Sequence, residues 1–302
     1  MKIWNYPSDA HTPLCDCVLA LGFFDGVHRG HREIISTAVK KAAQHSLPSA
    51  VFTFTGEGFL LKGGHIYSTE EKLSILEELG VDEVILADFS EIKNTEAEDF
   101  VTEILLGDLG CAIAVSGEDF RFGRGALGNA SLLSSILTQN GAALLCPDDV
   151  TEDGKKISST SIREFLKAGK IKEANNLLGS PYFISCEVKR GLGLGKELGF
   201  PTANADFDER GIDILSGVYK CVCKVGEKEL FAIANIGVCP TVSDRKKHIE
   251  AYLLNFSGDL YGAKIRLEIL DFIRPEIKFN SIEDLIMQIK LDINNNFSEK
   301  EV

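Results

Sequence analysis

Residues 17–45 read CVLALGFFDGVHRGHREIISTAVKKAAQH. The run 17–22 is apolar and has the length of a buried strand, whereas 28–45 repeats its apolar residues at helical spacing. Residues 22–31 are then the loop at a strand's C-terminal end together with the first helical turn. His28 and His31 stand three apart on one helix face, at the end where unpaired N–H groups and the dipole favour anions. Gly22 and Gly26 let the backbone pass close to a ligand, and Gly30 keeps the space between the two rings clear.

Strand, loop and helix recur outward from this stretch. Apolar runs at 49–54, 82–89, 111–117 and 142–147 read as further buried strands, with helical patterns at 69–79, 95–106 and 129–140. Thr95 and Glu98 have the spacing of a capping box at the start of the third helix. This alternation predicts an α/β, doubly wound parallel sheet whose loops gather at one edge, where ligands bind. Two imidazole N–H groups there suit a triphosphate attacked at its α-phosphorus, because they stabilise charge on the transferred phosphoryl and the departing pyrophosphate. Two surface histidines capping a helix, or a metal pair lacking a third ligand, are the other readings of these residues.

The second half has a different texture. SSTSIREFLKAGKIKEANNLLG (158–179) reads as two short helices broken at Gly169 and closed by Gly179. Strand-like runs follow at 183–190, 217–225, 229–236, 248–256 and 264–273, then an amphipathic helix over 281–297. These predict a small antiparallel β-barrel or sandwich with a C-terminal helix. The boundary is placed between 1–180 and 181–302. Within KRGLGLGKELGFPTAN (189–204), Thr202 and Asn204 point to one side of an extended segment. A hydroxyl and an amide oxygen side by side suit Mg²⁺, which keeps several waters and leans on substrate phosphates. Gly191, Gly193 and Gly195 offer backbone N–H groups to those phosphates.

Bulk properties narrow the partners. A chain of 302 residues is long for one core, so two domains are expected. Its 32 basic against 45 acidic residues give a charge of −13, which argues against a nucleic-acid partner. No apolar run has the roughly 18–20 residues of a membrane span, and the first fourteen residues lack the apolar stretch of a signal peptide. The eight cysteines form no CxxC pair. They read as small buried hydrophobes in a reducing, cytoplasmic protein.

GFFDGVHRGH, SGEDFRFGRGALGN (116–129) and ISSTSIR (157–163) together resemble the adenylyltransferase module of bacterial bifunctional riboflavin kinase/FAD synthetases, a branch of the HxGH nucleotidyltransferases. LGFPTAN (198–204), SGVY (216–219), ANIGVCPT (234–241), HIEAYLLNF (248–256) and DLYG (259–262) resemble the family's riboflavin kinase module in order and spacing. The resemblance implies a nucleotidyltransferase domain followed by a kinase barrel. It implies that Phe24 and Asp25 join Gly22, Gly26 and Gly30 in nucleotide binding, and that Ser159, Thr160 and Arg163 hold phosphate oxygens. Asp119, Phe120 and Phe122 are implied at the flavin end, Lys196 at the kinase phosphates, and Glu250 as the general base. The implied substrates are riboflavin, FMN and ATP, the implied cofactor is Mg²⁺, and the implied products are FMN and FAD. One departure stands out: Gly56, Glu57 and Gly58 occupy the place of the family's Pro-His-Pro. It leaves open a riboflavin kinase whose N-terminal domain binds nucleotide or flavin without turnover.

Overall fold

Four apolar runs of the first half become neighbouring strands buried over most of their length. The fifth, at Ala143–Leu145, is exposed to half-buried at the edge of the sheet and is not the buried strand expected there. In the computed structural model, which describes residues 1–9, 16–55, 63–190, 200–207, 212–238 and 247–298, these strands are β1 (Lys2–Tyr6), β2 (Cys17–Leu21), β3 (Ser49–Phe54), β4 (Glu83–Ala87), β5 (Cys111–Val115) and β6 (Ala143–Leu145). They form one sheet in the order β1-β4-β3-β2-β5-β6, parallel at every pairing. β2 is buried at all five residues, as expected for a central strand covered on both faces. β1 lies beyond the five expected strands; its half-exposed KIWNY sequence carries no buried-strand signal and pairs only with β4.

The chain steps from β2 to β3 to β4 in one direction and then returns to lay β5 on the other side of β2. The loops after β2 and β5 therefore flank the topological switch point, where open α/β sheets bind ligands. Helices α1 (Arg29–His45), α2 (Thr69–Glu78) and α3 (Ala130–Gln139) fall within a residue of expectation. The third expected helix, between α2 and α3, begins as Ala97–Asp99 and continues as a π-helix over Phe100–Asp108. The Thr95 capping box does not form: Glu96 is the N-cap and makes no side-chain cap bond. The Thr95 carbonyl instead accepts from Arg124 N at 2.7 Å, and Glu96 pairs with the Arg124 guanidinium. A complete capping box forms at Ser68 and Glu71.

Contacts divide the chain into two units, Met1–Ser159 and Thr160–Val302. After α4 (Ser159–Lys167) and α5 (Ile171–Leu178) come β7 (Tyr182–Glu187), β8 (Thr202–Asp206), β9 (Gly217–Val225), β10 (Lys228–Val238), β11 (Lys247–Leu253) and β12 (Lys264–Arg274). Their order is β7-β12-β9-β10-β11-β8, all antiparallel. An antiparallel bridge between Lys189 and Asn204 links the two ends of this sheet, which thus curls into a barrel. Tyr219, Cys221 and Cys223 of β9 alternate inward with Ile265, Leu267 and Ile269 of β12. Helix α6 (Ile282–Asn296) buries Ile293 against Val218 and Ile233, and its Asp292 takes Arg274 Nε at 2.9 Å.

Cys17, Cys111, Cys221 and Cys223 are free, buried thiols, but Cys146 is exposed. Cys146 follows the C-terminal end of the sheet's outermost strand, β6, where cover has ended. Among the described residues no helix is long and apolar enough to cross a membrane.

Candidate active sites

The first site begins with a forced turn at the end of β2. Phe24 (φ 51°) and Val27 (φ 37°) are both buried and both adopt left-handed backbone conformations. Such residues persist only where their surroundings over-determine them, and these surroundings do. The Phe23 carbonyl accepts from Thr53 Oγ1 at 2.8 Å and from Lys72 Nζ at 3.4 Å. Buried Asp25 accepts the Ile66 N–H at 3.0 Å through Oδ1, while its backbone oxygen accepts from Ser159 Oγ at 2.8 Å. At Gly26 (φ 82°), a Cβ would lie 2.7 Å from Ile66 Cδ1.

This turn delivers His28 to the N-cap of α1. Its Nδ1 accepts from the His31 backbone N–H at 3.3 Å. The rings of His28 and His31 stack with centroids 3.6 Å apart and planes 18° apart, and Phe24 meets His31 edge-on at 5.4 Å. A Cβ on Gly30 would come within 3.3 Å of the His28 ring. Burial pushes His28 down to about 4. Burial also holds His31 well below the usual imidazole range, with the charges of His28, Lys72 and Lys156 adding to the effect. Both imidazoles are therefore neutral at pH 7. Because His28 Nδ1 accepts, its proton resides on Nε2, which is left as a donor. His31 Nδ1 is buried with no hydrogen-bond partner. Two neutral rings at a helix N-terminus form a site that gains by receiving an anion.

The loop after β5 carries the residues expected at the flavin end. Phe120 is half-buried and stacks on Phe122 at 5.7 Å; Phe122 is buried against Phe100. Asp119 is exposed and pairs with Lys156 at 2.8 Å. Leu127, 76% exposed, adds apolar surface to the same segment. A Cβ on Gly22 would strike the Phe24 ring at 2.8 Å. Ser159 reaches the histidine loop through Asp25, while Thr160 and Arg163 lie on α4 in the second unit. Gly56, Glu57 and Gly58 lie outside the described residues, as do Gly191, Gly193, Gly195 and Lys196.

The second site is a row across the barrel sheet. In antiparallel strands, directly opposed residues share a face. Asn204 of β8 opposes Glu250 of β11, and Glu250 opposes Asn235 of β10. Their strand neighbours Ala203, Ala205, Ile249 and Ala251 are buried on the other face. Thr202 joins the row's face, and its Oγ1 accepts from Asn204 Nδ2 at 3.3 Å. Glu250 is exposed.

Three residues here escaped sequence reasoning. Asn235 donates through Nδ2 to Glu276 at 3.2 Å, while its Oδ1 is buried without a partner. Glu276 lies against Gly237, where a Cβ would collide with its carboxylate. Lys72 is buried behind the Phe23 carbonyl. Only strand register or tertiary packing exposes such roles; an Asn in a strand and a Lys in a helix carry no signal of their own. Among the described residues, no cluster of three or more His, Cys, Asp or Glu side chains is placed to hold a metal ion.

Comparison with known proteins places both halves. The FAD synthetase family profile matches residues 11–161, and the riboflavin kinase profile matches 178–298. The chain is 35% identical over 290 residues to the bifunctional riboflavin kinase/FMN adenylyltransferase of Escherichia coli K12, covering 94% of this chain and 92% of that protein. The Bacillus subtilis protein of the same description is 35% identical, covering 91% and 90%. A solved structure from Streptococcus pneumoniae, described as a macrolide-efflux protein, superposes with a TM-score of 0.86 at 30% identity, covering 99% of this chain and 100% of that one.

Proposed function

The chain belongs to the bifunctional riboflavin kinase/FMN adenylyltransferase family, and we propose how its two sites divide the chemistry. It phosphorylates riboflavin to FMN and adenylylates FMN to FAD, using ATP in both steps and releasing pyrophosphate in the second. The reading in which the N-terminal domain only binds is disfavoured by the full FAD synthetase match and the bifunctional relatives. We assign adenylylation to residues 1–180, phosphorylation to 181–302, and the cytoplasm as the working compartment, the last supported by the free thiols.

The stacked His28–His31 pair carries the adenylylation assignment. The FMN phosphate is already an anionic nucleophile and has no proton to lose, so the site needs no base. It needs donors for the charge that grows on the α-phosphoryl and the leaving pyrophosphate, and neutral imidazoles supply these. Gly22, Phe24, Asp25, Gly26 and Gly30 shape the loop around that charge. Ser159, Thr160 and Arg163 are assigned to phosphate oxygens, and Asp119, Phe120 and Phe122 to the flavin end.

The ribityl 5′-hydroxyl, by contrast, must lose a proton as it attacks the γ-phosphorus. Glu250, in register with Asn204 and facing solvent, is assigned as the base that takes it. Thr202 Oγ1 and Asn204 Oδ1 are assigned as the hard oxygen donors for Mg²⁺; Asn204 meets Thr202 through Nδ2, so its amide turns over when both oxygens face the ion. That ion, when bound, neutralises phosphate charge. Gly191, Gly193, Gly195 and Lys196 are assigned to the ATP phosphates.

The test is to supply riboflavin, ATP and Mg²⁺ and to resolve FMN from FAD chromatographically. Glu250→Gln is expected to lose about 10²–10⁴-fold in FMN formation and to convert supplied FMN normally. His31→Ala is expected to accumulate FMN. Loss of both activities in either variant, or unchanged FAD output from His31→Ala, would refute the assignment.

A further inference from the structure

Lys72 belongs to no motif, yet among the described residues it is the lysine most deeply placed beside the histidine loop. Its relative exposure is 6%, and its ammonium makes three bonds, all to neutral oxygens. These are Phe54 O at 2.9 Å, Thr53 Oγ1 at 3.1 Å and Phe23 O at 3.4 Å. The ammonium also lies 5.3 Å from the centre of the Phe23 ring. A lysine is rarely buried unless a carboxylate pairs with it; here Asp25 acts on it only electrostatically.

The geometry indicates what this cation does. Thr53 and Lys72, from a strand and a helix, converge on one carbonyl, that of Phe23. That carbonyl lies in the peptide plane whose rotation sets φ of Phe24, the residue held at 51°. Phe24 in turn supports the His31 ring edge-on, and the next residue, Asp25, anchors the loop to Ile66 and Ser159. The buried ammonium thus holds the first peptide of the turn on which the paired imidazoles depend.

We propose that Lys72 is a positioning residue for adenylyl transfer, holding the Phe23–Phe24 peptide through its ammonium so that His28 and His31 meet the nucleotide in register. The inference rests on the nucleotide role assigned to those histidines. Burial brings the Lys72 ammonium down to about 8, against the opposing pull of Asp25. Of the titratable groups around it, Asp25 on the loop favours the charged ammonium, and the ammonium in turn helps to keep the imidazole of His31 neutral, as Lys156 also does. A group with its pKa lowered in this way loses its proton as pH rises through 8, so the anchoring bonds weaken on the alkaline side.

The experiment uses the full-length chain with FMN, ATP and Mg²⁺ supplied, and riboflavin phosphorylation in the same preparation as the reference. Lys72→Met is expected to lower kcat for FAD formation by about 10²-fold, the scale of a misplaced catalytic group, while riboflavin phosphorylation stays within twofold. Wild-type FAD formation is expected to fall above about pH 8, and Lys72→Arg, which keeps its charge, to move that limb upward by at least one pH unit. Wild-type kcat in Lys72→Met overturns the proposal. If Lys72→Met does not fold, Lys72→Arg decides alone: an alkaline limb left in place overturns it. His31→Ala in parallel separates the two levels. If it spares FAD formation, the histidine assignment fails; if it abolishes FAD formation while Lys72→Met does not, only the lysine inference fails.

Discussion

His28 and His31 stack ring on ring at 3.6 Å because His28 is the N-cap of α1, turned back so that its Nδ1 receives the His31 backbone N–H. One local hydrogen bond therefore sets the spacing of the pair, the tautomer of its first member and the direction of the remaining donor. The pair's sensitivity to nearby atoms follows from that closeness.

Gly30→Ala is the first expected consequence. The added Cβ would stand 3.3 Å from the His28 ring, which must give by a few tenths of an ångström. Alanine is the better helix former by about 1 kcal/mol. Thermal unfolding should occur at the same temperature or higher, while FAD formation falls about tenfold or more and riboflavin phosphorylation is unchanged. Calorimetry together with both assays checks this dissociation of stability from activity.

Gly26→Ala should act in the opposite sense, on stability. At φ 82°, with Ile66 Cδ1 only 2.7 Å from the new atom, the substitution is both strained and crowded. A loss of about 1–3 kcal/mol is expected, read from urea unfolding of the variant.

Acid should destabilise the first unit through the same histidines. The folded-state pKa of His28 lies near 4, below its ordinary 6.5, so between these values the unfolded chain binds more protons. Stability is complete above pH 6.5 and declines as pH falls toward 4. The lowering corresponds to about 3 kcal/mol, with His31 shifted in the same direction. Denaturant midpoints measured between pH 7 and 4.5 should fall, and His28→Asn, which retains a cap, should flatten that slope.

Thr202→Val removes a hydroxyl oxygen from the point that Asn204 also reaches. The Mg²⁺ concentration giving half-maximal riboflavin phosphorylation is expected to rise about 10–100-fold, with the requirement of FAD formation unaltered. A metal titration of each activity checks it; equal shifts in both would remove Thr202 from the kinase site.

Where burial is continuous, the linear chain was enough. The strands from Cys17, Ser49, Glu83 and Cys111 and the helices from Arg29, Thr69 and Ala130 announce themselves, because a strand covered on both faces is apolar along its whole run and a helix repeats its apolar side chains every 3.6 residues. The HxGH spacing and the Thr202–Asn204 alternation are equally local, and so were legible. β1 was not, since a half-exposed edge strand exists only through its pairing with Glu83–Ala87. The Thr95 capping box did not form because the helix starts one residue later, with Glu96 as N-cap, beside a contact with Arg124 that is remote in sequence. Short-range periodicity and capping chemistry are properties of neighbours along the chain. Which carbonyl Lys72 grips, and that Asn204, Glu250 and Asn235 form one row, depend on strand register and on burial between distant segments, and these arise only when the chain closes on itself.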